Sequence, residues 1–169
     1  DATLPHAAQL LMDSYKEKCA HDTIVDLIRN DLNQIATQVK VQRFRYIEKI
    51  QTINGEILQT SSEIRGTLPQ NWNKQLGDLI FRLLPAGSIS GAPKAATVRL
   101  IQAAEQTPRG YYTGVFGYFD GQNLDSGVMI RYIEKANGTY FFRSGGGITV
   151  NSCMTEEYQE MLEKIYLSI

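Results

Sequence analysis

Three strand-like runs, "YYTGVFGYFD" (111–120), "LDSGVMIRYIEK" (124–135) and "TYFFRSGGGITV" (139–150), follow one another with only "GQN" and "ANG" between them. Linkers this short leave no room for a crossover helix, so the runs must pair as consecutive antiparallel hairpins. A further hairpin signal, Asn54-Gly55, joins "VKVQRFRYIEKI" (39–50) to "EILQTSSEIRG" (56–66). In the first of these, Val39, Val41, Arg43, Arg45 and Ile47 share one face, with Phe44, Tyr46 and Glu48 on the other. Helical patterns interrupt the strands. From Leu10 to Ile35, Val25, Ile28, Leu32 and Ile35 form one buried stripe. "NKQLGDLIFRLL" (73–84) reads as an amphipathic helix through Leu76, Leu79, Ile80, Leu83 and Leu84. "PAGSISGAPKAATVRLIQAAE" is a Gly/Ser loop opening a helix, with Pro93 in the first turn. A last helix begins near Met154, capped by Asn151 or Ser152. Hairpins set among separate helices predict an α+β fold, antiparallel β-sheets with flanking helices, and exclude a doubly wound parallel sheet.

A chain of 169 residues is enough for one domain with a core. Its net charge of −1 gives no electrostatic footprint for nucleic acid or an anionic membrane. No apolar run approaches the ~20 residues of a membrane span. Cys19 and Cys153 are the two cysteines and do not form a C-x-x-C. That argues against a disulfide framework or zinc site and for a reducing, cytoplasmic compartment. Asn137-Gly138-Thr139 is a glycosylation sequon in form but a hairpin turn in context. The opening "DATLPHAAQL" lacks an initiator Met, and the expectation is a piece of a longer protein.

Several stretches carry chemistry. "GSISGAPK" is not a Walker A loop, because Ala92-Pro93 separate Gly91 from Lys94. As a Gly-rich loop opening a helix it offers N–H groups to an anion such as a carboxylate; an ordinary loop and cap is the equal alternative. Gly145, Gly146 and Gly147 interrupt a strand-like run, a backbone cost explained by close approach of another group or by a bulge. Arg131, between Met129 and Ile133 on one strand face, is partly buried and needs a carboxylate from the protein or a ligand. Tyr112 on its own merits is a core or rim residue. Asp26, Arg29, Asn30 and Asp31 read as a structural salt-bridge network. "EEYQEMLEK" (156–164) puts Glu157, Glu160 and Lys164 on one side of a helix. Alone, that is a solvated face with a Glu160–Lys164 pair.

Together, "IVDLIRNDL", "LPAGSISGAPKAATVRLI", "RGYYTGVFGYFDG", "LDSGVMIRYIE", "SGGGIT" and "EYQEMLEK" resemble, in order and spacing, the C-terminal part of the chorismate-utilising enzymes. That family includes anthranilate synthase component I, aminodeoxychorismate synthase component I, isochorismate synthase and salicylate synthase. The resemblance covers essentially residues 1–169 and is strongest to the aminodeoxychorismate branch. It implies the C-terminal part of a chorismate-binding domain. The parent enzyme would aminate chorismate at C4, in folate biosynthesis, with ammonia from a glutamine amidotransferase partner. It implies Mg²⁺ held by Glu157 and Glu160, with Glu17 at a further acidic position, and the metal anchoring a substrate carboxylate. It implies substrate contacts from Ser88, Tyr112, Arg131, Gly145, Gly146, Gly147 and Lys164. On that basis Arg131, Lys164 and the glycine N–H groups are expected around one cavity, with the two glutamates at its edge.

Two positions depart from the family pattern. Ala20 stands where a second metal-binding Glu is expected in "KEKCAHD", and Gln59 where a His is frequent. The Pro-Ile-Lys-Gly-Thr stretch that carries the aminodeoxychorismate branch's catalytic lysine, and the general acid, do not occur in these 169 residues, so the isolated chain is expected to be inactive. The alternatives are anthranilate synthase component I and a non-catalytic chorismate-binding homologue.

Overall fold

The computed structural model describes residues 5–166; the first four residues of the opening segment lie outside them. The described residues fall into two compact units, which divide between Ala104 and Glu105.

In the first unit, α1 (Ala7–Asp13) and α2 (Tyr15–Asn33) replace the single helix expected from Leu10 to Ile35. The break is Ser14, whose extended backbone caps α2 and whose hydroxyl accepts from Glu17 N–H at 3.3 Å. β1 (Thr37–Thr52) and β2 (Gly55–Thr67) form a long antiparallel hairpin. The strict alternation predicted for β1 fails at Arg45, which takes a left-handed φ of 44° beside a register shift. Its side chain, 5% exposed, donates to the α1 carbonyls of Met12 (2.8 Å) and Leu11 (3.0 Å). A guanidinium at the end of α1 satisfies carbonyls that the helix leaves open and meets the negative end of its dipole. Arg45 N–H donates to Ser62 Oγ (2.9 Å), and that hydroxyl also bonds His21 Nε2 (2.7 Å), so α1, α2 and the hairpin share one polar knot. A 3₁₀ turn (Trp72–Gln75) leads into α3 (Leu76–Leu83), shorter than the helix predicted over 73–84. α4 (Gly87–Ser90) and α5 (Lys94–Glu105) follow, with Pro93 O accepting from Ala96 and Thr97 N–H ahead of α5. Val25 and Leu79 are the buried large apolar side chains among the described residues, both in this unit.

The second unit holds two hairpins and one helix. β3 (Val115–Phe119) pairs with β4 (Leu124–Val128), and β5 (Tyr132–Ala136) with β6 (Thr139–Arg143). Asn137 and Gly138 both have positive φ, as the tight turn read from the sequence requires. The run 124–135 is not one strand. Met129 N–H donates to Gly114 O and Ile130 N–H folds back onto Val128 O, so Arg131 lies in the gap between two strands, not on a strand face. Gly145, Gly146 and Gly147 likewise lie beyond the end of β6, in the irregular connection to α6 (Met154–Glu163). α6 starts at Met154 as expected, but Cys153 is its cap; Ser152 Oγ accepts from Thr149 N–H instead (3.0 Å). Both cysteines are free thiols. Helices with small antiparallel sheets make the chain α+β, as predicted. None of the described helices is long and apolar enough to cross a membrane.

Candidate functional site

The second unit builds its site from the turn 109–114, the gap 129–131, and the loop that ends in α6. The β3–β4 ladder continues past Val128 through Thr113 N–H to Met129 O (2.8 Å) and Met129 N–H to Gly114 O (2.9 Å), which sets the turn beside the gap. Thr113 takes a positive φ of 66°, and Tyr112 N–H closes the turn onto Arg109 O (3.1 Å). Arg109 holds it from outside. Its Nε donates to Glu105 Oε2 (2.7 Å), its Nη1 to Thr113 Oγ1 (3.2 Å), and its guanidinium lies 5.4 Å from the Tyr112 ring centre. The Arg109 hydrogen bond holds the Glu105 carboxyl below the usual carboxylate range. Burial pushes the Tyr112 phenol up, with the Arg109 charge opposing it.

Tyr112 points at the glycine run. A Cβ on Gly145 would lie 2.0 Å from its hydroxyl, so position 145 accepts no side chain while the phenol stays in place. A Cβ on Gly146 would sit 3.7 Å from Glu157 Oε2. Glu157 is 7% exposed, so its carboxylate sits beneath the glycine run and out of bulk water. A cavity of about 390 Å³ opens there, lined by Gly146, Glu157 and the apolar Ile148, Met154, Tyr158 and Met161.

Tyr112, Gly145, Gly146 and Glu157 are thus one contiguous group. Arg131 and Lys164 are not among the residues that line that cavity; each has a protein partner of its own. Lys164 Nζ pairs with Glu160 Oε1 at 2.6 Å, the helical pair that i, i+4 spacing allows. Arg131 Nη1 donates to the Tyr166 hydroxyl, and its guanidinium lies 5.1 Å from that ring's centre. Gly147 has open space around its Cα.

Glu17 and Ser88 belong to the first unit and are exposed, Glu17 in the first turn of α2 and Ser88 on α4. The Gly-rich loop there resolves the two alternatives left open. Gly87 N–H donates to Asp31 Oδ2 (3.0 Å), and Lys94 Nζ reaches Asp31 Oδ1 (2.7 Å). The anion at this loop is the protein's own carboxylate, and Asp31 is structural, as read from the sequence. Asp26 and Arg29 form an exposed pair at 3.9 Å. Ala20 is half-buried on α2, and Gln59 Nε2 bonds Glu48 Oε2 at 3.2 Å.

Among the described residues no three His, Cys, Asp or Glu side chains gather as a metal cluster. Glu157 and Glu160, one turn apart on α6, are a donor pair of the hard, oxygen kind that Mg²⁺ takes, completed by waters and substrate oxygens. The donor chemistry fits Mg²⁺, provided Glu160 exchanges Lys164 for the ion. Tyr166, Arg109 and Glu105 are the neighbours that sequence reading missed. Arg109 lies three residues before Tyr112 in "RGYYTG", a spacing that could have flagged it. Nothing in the pattern connects Arg131 to Tyr166, 35 residues on.

The family model described as chorismate binding enzyme matches residues 4–168. A PabA-like protein of Pasteurella multocida is 60% identical over 169 residues, covering 100% of this chain and 52% of its own length. Aminodeoxychorismate synthase component 1 of Bacillus subtilis is 34% identical over 94% of this chain and 33% of its own. Anthranilate synthase component 1 of Mycobacterium tuberculosis is 36% identical over 92% of this chain and 30% of its own. The chain therefore spans about half the length, or less, of these curated relatives. A solved structure described as a 2,3-dihydroxybenzoate-specific isochorismate synthase of Bacillus anthracis shares the fold, with a TM-score of 0.73 at 23% identity over 95% of this chain and 41% of that one.

Proposed function

The chain belongs to the family of chorismate-binding enzymes, and from that premise we propose that it is the C-terminal part of an aminodeoxychorismate synthase component I. The parent protein would exchange the C4 hydroxyl of chorismate for an amino group, releasing water, with ammonia from a glutamine amidotransferase partner in the cytoplasm. The observation that carries the reading is the contiguous group of Tyr112 and Gly145 with Gly146 and buried Glu157, the last two lining the cavity, and Arg131 nearby in sequence order and holding no carboxylate of its own among the described residues.

Chorismate is a dianion, and its pocket must supply donors in place of lost water. Arg131 would bind one carboxylate through its guanidinium. The glycine run can approach a ligand closely because no Cβ intervenes, and Tyr112 would fix the ligand's position over it. Lys164 would turn from Glu160 to the second carboxylate. Glu157 and Glu160 would hold Mg²⁺, which when bound supplies a positive charge for a substrate carboxylate.

Identities of 34% and 36% to the two synthase types do not separate them, so anthranilate synthase component I stands as the second reading. The full-length parent, given chorismate, ammonium and Mg²⁺, decides. Amination at C4 retains the enolpyruvyl side chain, and no pyruvate appears. Pyruvate released in step with anthranilate would move the assignment to anthranilate synthase. Chorismate binding without any turnover would make the protein a non-catalytic homologue, which the loss of a carboxylate at Ala20 favours.

A further inference from the structure

We infer that Tyr166 is a carboxylate-binding residue, its phenol serving as a second donor beside Arg131. The inference rests on the reading of Arg131 as a carboxylate anchor and extends it to a residue outside the motifs of the sequence.

Arg131 sits half-buried in the gap between β4 and β5. A guanidinium there should hold a carboxylate. The other well-enclosed arginine of this unit does so: Arg109 pairs with Glu105. Among the described residues no carboxylate pairs with Arg131, and its polar partner is the neutral hydroxyl of Tyr166. Among the described residues one of its five N–H donors has a partner, and none supplies a charge to match it.

The hydroxyl accepts from Arg131 Nη1, so its own proton remains to be given away. A hydroxyl polarised by an adjacent cation is a stronger donor than one facing water. The ring fixes the arrangement, because the guanidinium carbon lies 5.1 Å from its centre. Tyr166 is held in turn by the chain just past α6, where its N–H donates to Lys164 O at 3.1 Å. A carboxylate arriving at Arg131 therefore meets two donors of different kinds side by side: one oxygen faces the guanidinium and the other the phenol. Such a clamp suits a flat, two-oxygen group and leaves a neutral hydroxyl ligand with no charge to match.

The test uses the full-length parent protein and benzoate as probe, with benzyl alcohol as the neutral control, titrated by ligand-detected NMR. Tyr166→Phe keeps the ring and removes the donor. It should weaken benzoate about ten- to a hundredfold, the usual worth of one hydrogen bond to a charged group, and leave benzyl alcohol unchanged. Tyr166→Gln, which can both accept from Arg131 and donate to the ligand, should stay within about twofold of the parent, on the same hydrogen-bond count. If Tyr166→Phe does not accumulate, Tyr166→Gln against Tyr166→Leu gives the same comparison. Benzoate bound equally or more tightly by Tyr166→Phe, while Arg131→Gln abolishes binding, overturns the inference and leaves the Arg131 reading intact. Unchanged benzoate affinity in Arg131→Gln overturns both.

Discussion

The two units of this chain are held together by different means. In the first, buried polar groups do the joining. Asp31 ties α2 to the α4 loop and to Lys94, while Arg45 with Ser62 and His21 ties the hairpin to α1 and α2. The second unit has Glu157 as its one buried residue among those described. Its strands show aromatic rings to water instead, Phe116 at 60%, Tyr118 at 75% and Tyr140 at 66% exposure. Specific polar contacts locate a fold in space but drive it weakly; apolar burial drives it. The first unit has some of both. The second has position without drive, and it carries most of the candidate ligand contacts. A binding region drawn from the less stable part of a molecule is expected, because ligand and partner surfaces then supply what the chain does not.

Four measurements would sharpen or break that contrast. The largest effect is expected from Asp31→Ala, which strands Gly87 N–H and the Lys94 charge. Unfolding in denaturant should show a loss of about 3 kcal/mol, the low end for a broken buried pair, because Lys94 is 28% exposed and can turn to water. A loss below about 0.5 kcal/mol, the usual effect of a surface substitution, would mean that the polar joints of the first unit are ornamental. Next is hydrogen exchange. Amides of β3 to β6 should exchange on the order of a hundredfold faster than those of β1 and β2, as short hairpins with little apolar cover open more often. Equal protection would erase the distinction between the units.

A smaller effect is expected from Gly145→Ala, which drives a methyl into the Tyr112 hydroxyl. It should cost about 1–2 kcal/mol by overpacking, and Tyr112→Phe in the same protein should return part of it. An additive pair of losses would show that the two residues do not touch.

The smallest effect is a difference in pH response. Burial, with the Arg45 charge second, holds the His21 imidazole below its ordinary value of 6.5. The unfolded chain then takes up a proton first as pH falls, so stability present above pH 6.5 is lost as pH drops toward the folded value. Tyr112 in the second unit is shifted the other way, above 10.0, and its contribution is lost as pH rises from 10.0 toward the folded value. The first unit should weaken in mild acid and the second in strong alkali. His21→Gln should flatten only the acid limb.

Much of this was legible in the sequence, for reasons that can be named. Short turns dictated the hairpins, and Asn137-Gly138 adopts the two positive φ values that such a turn needs. Local capping chemistry is legible too: Ser14 followed by Glu17 marks the break between α1 and α2. What alternation could not show was where a strand stops. "LDSGVMIRYIEK" carries strand-forming residues on past Met129, yet Ile130 N–H folds back onto Val128 O and the strand ends there. Arg131 consequently lies off any strand face. The same limit applies to the site. The i, i+3 spacing placed Glu157 and Glu160 on one helix, but only the packing of the glycine run against α6 decides that Glu157 is buried while Glu160 meets Lys164. Pairings over long sequence separation, Arg131 with Tyr166 or Asp31 with Lys94, leave no periodic trace.

The Asp31 contact has a consequence for chemistry that the protein does not itself practise. A carboxylate held between a backbone N–H and an ammonium group is a plug in a socket, and the socket persists in outline if the plug is cut away. Asp31→Gly would leave a cavity of carboxylate size with its two donors still aimed inward. Formate, the smallest carboxylate, could occupy it as an untethered replacement and restore the lost stability in proportion to its concentration, while chloride would restore less because it cannot span both donors. A residue that now closes the loop from within would become, by its removal, the vacancy of a small-molecule receptor whose occupancy is set by the solution around it.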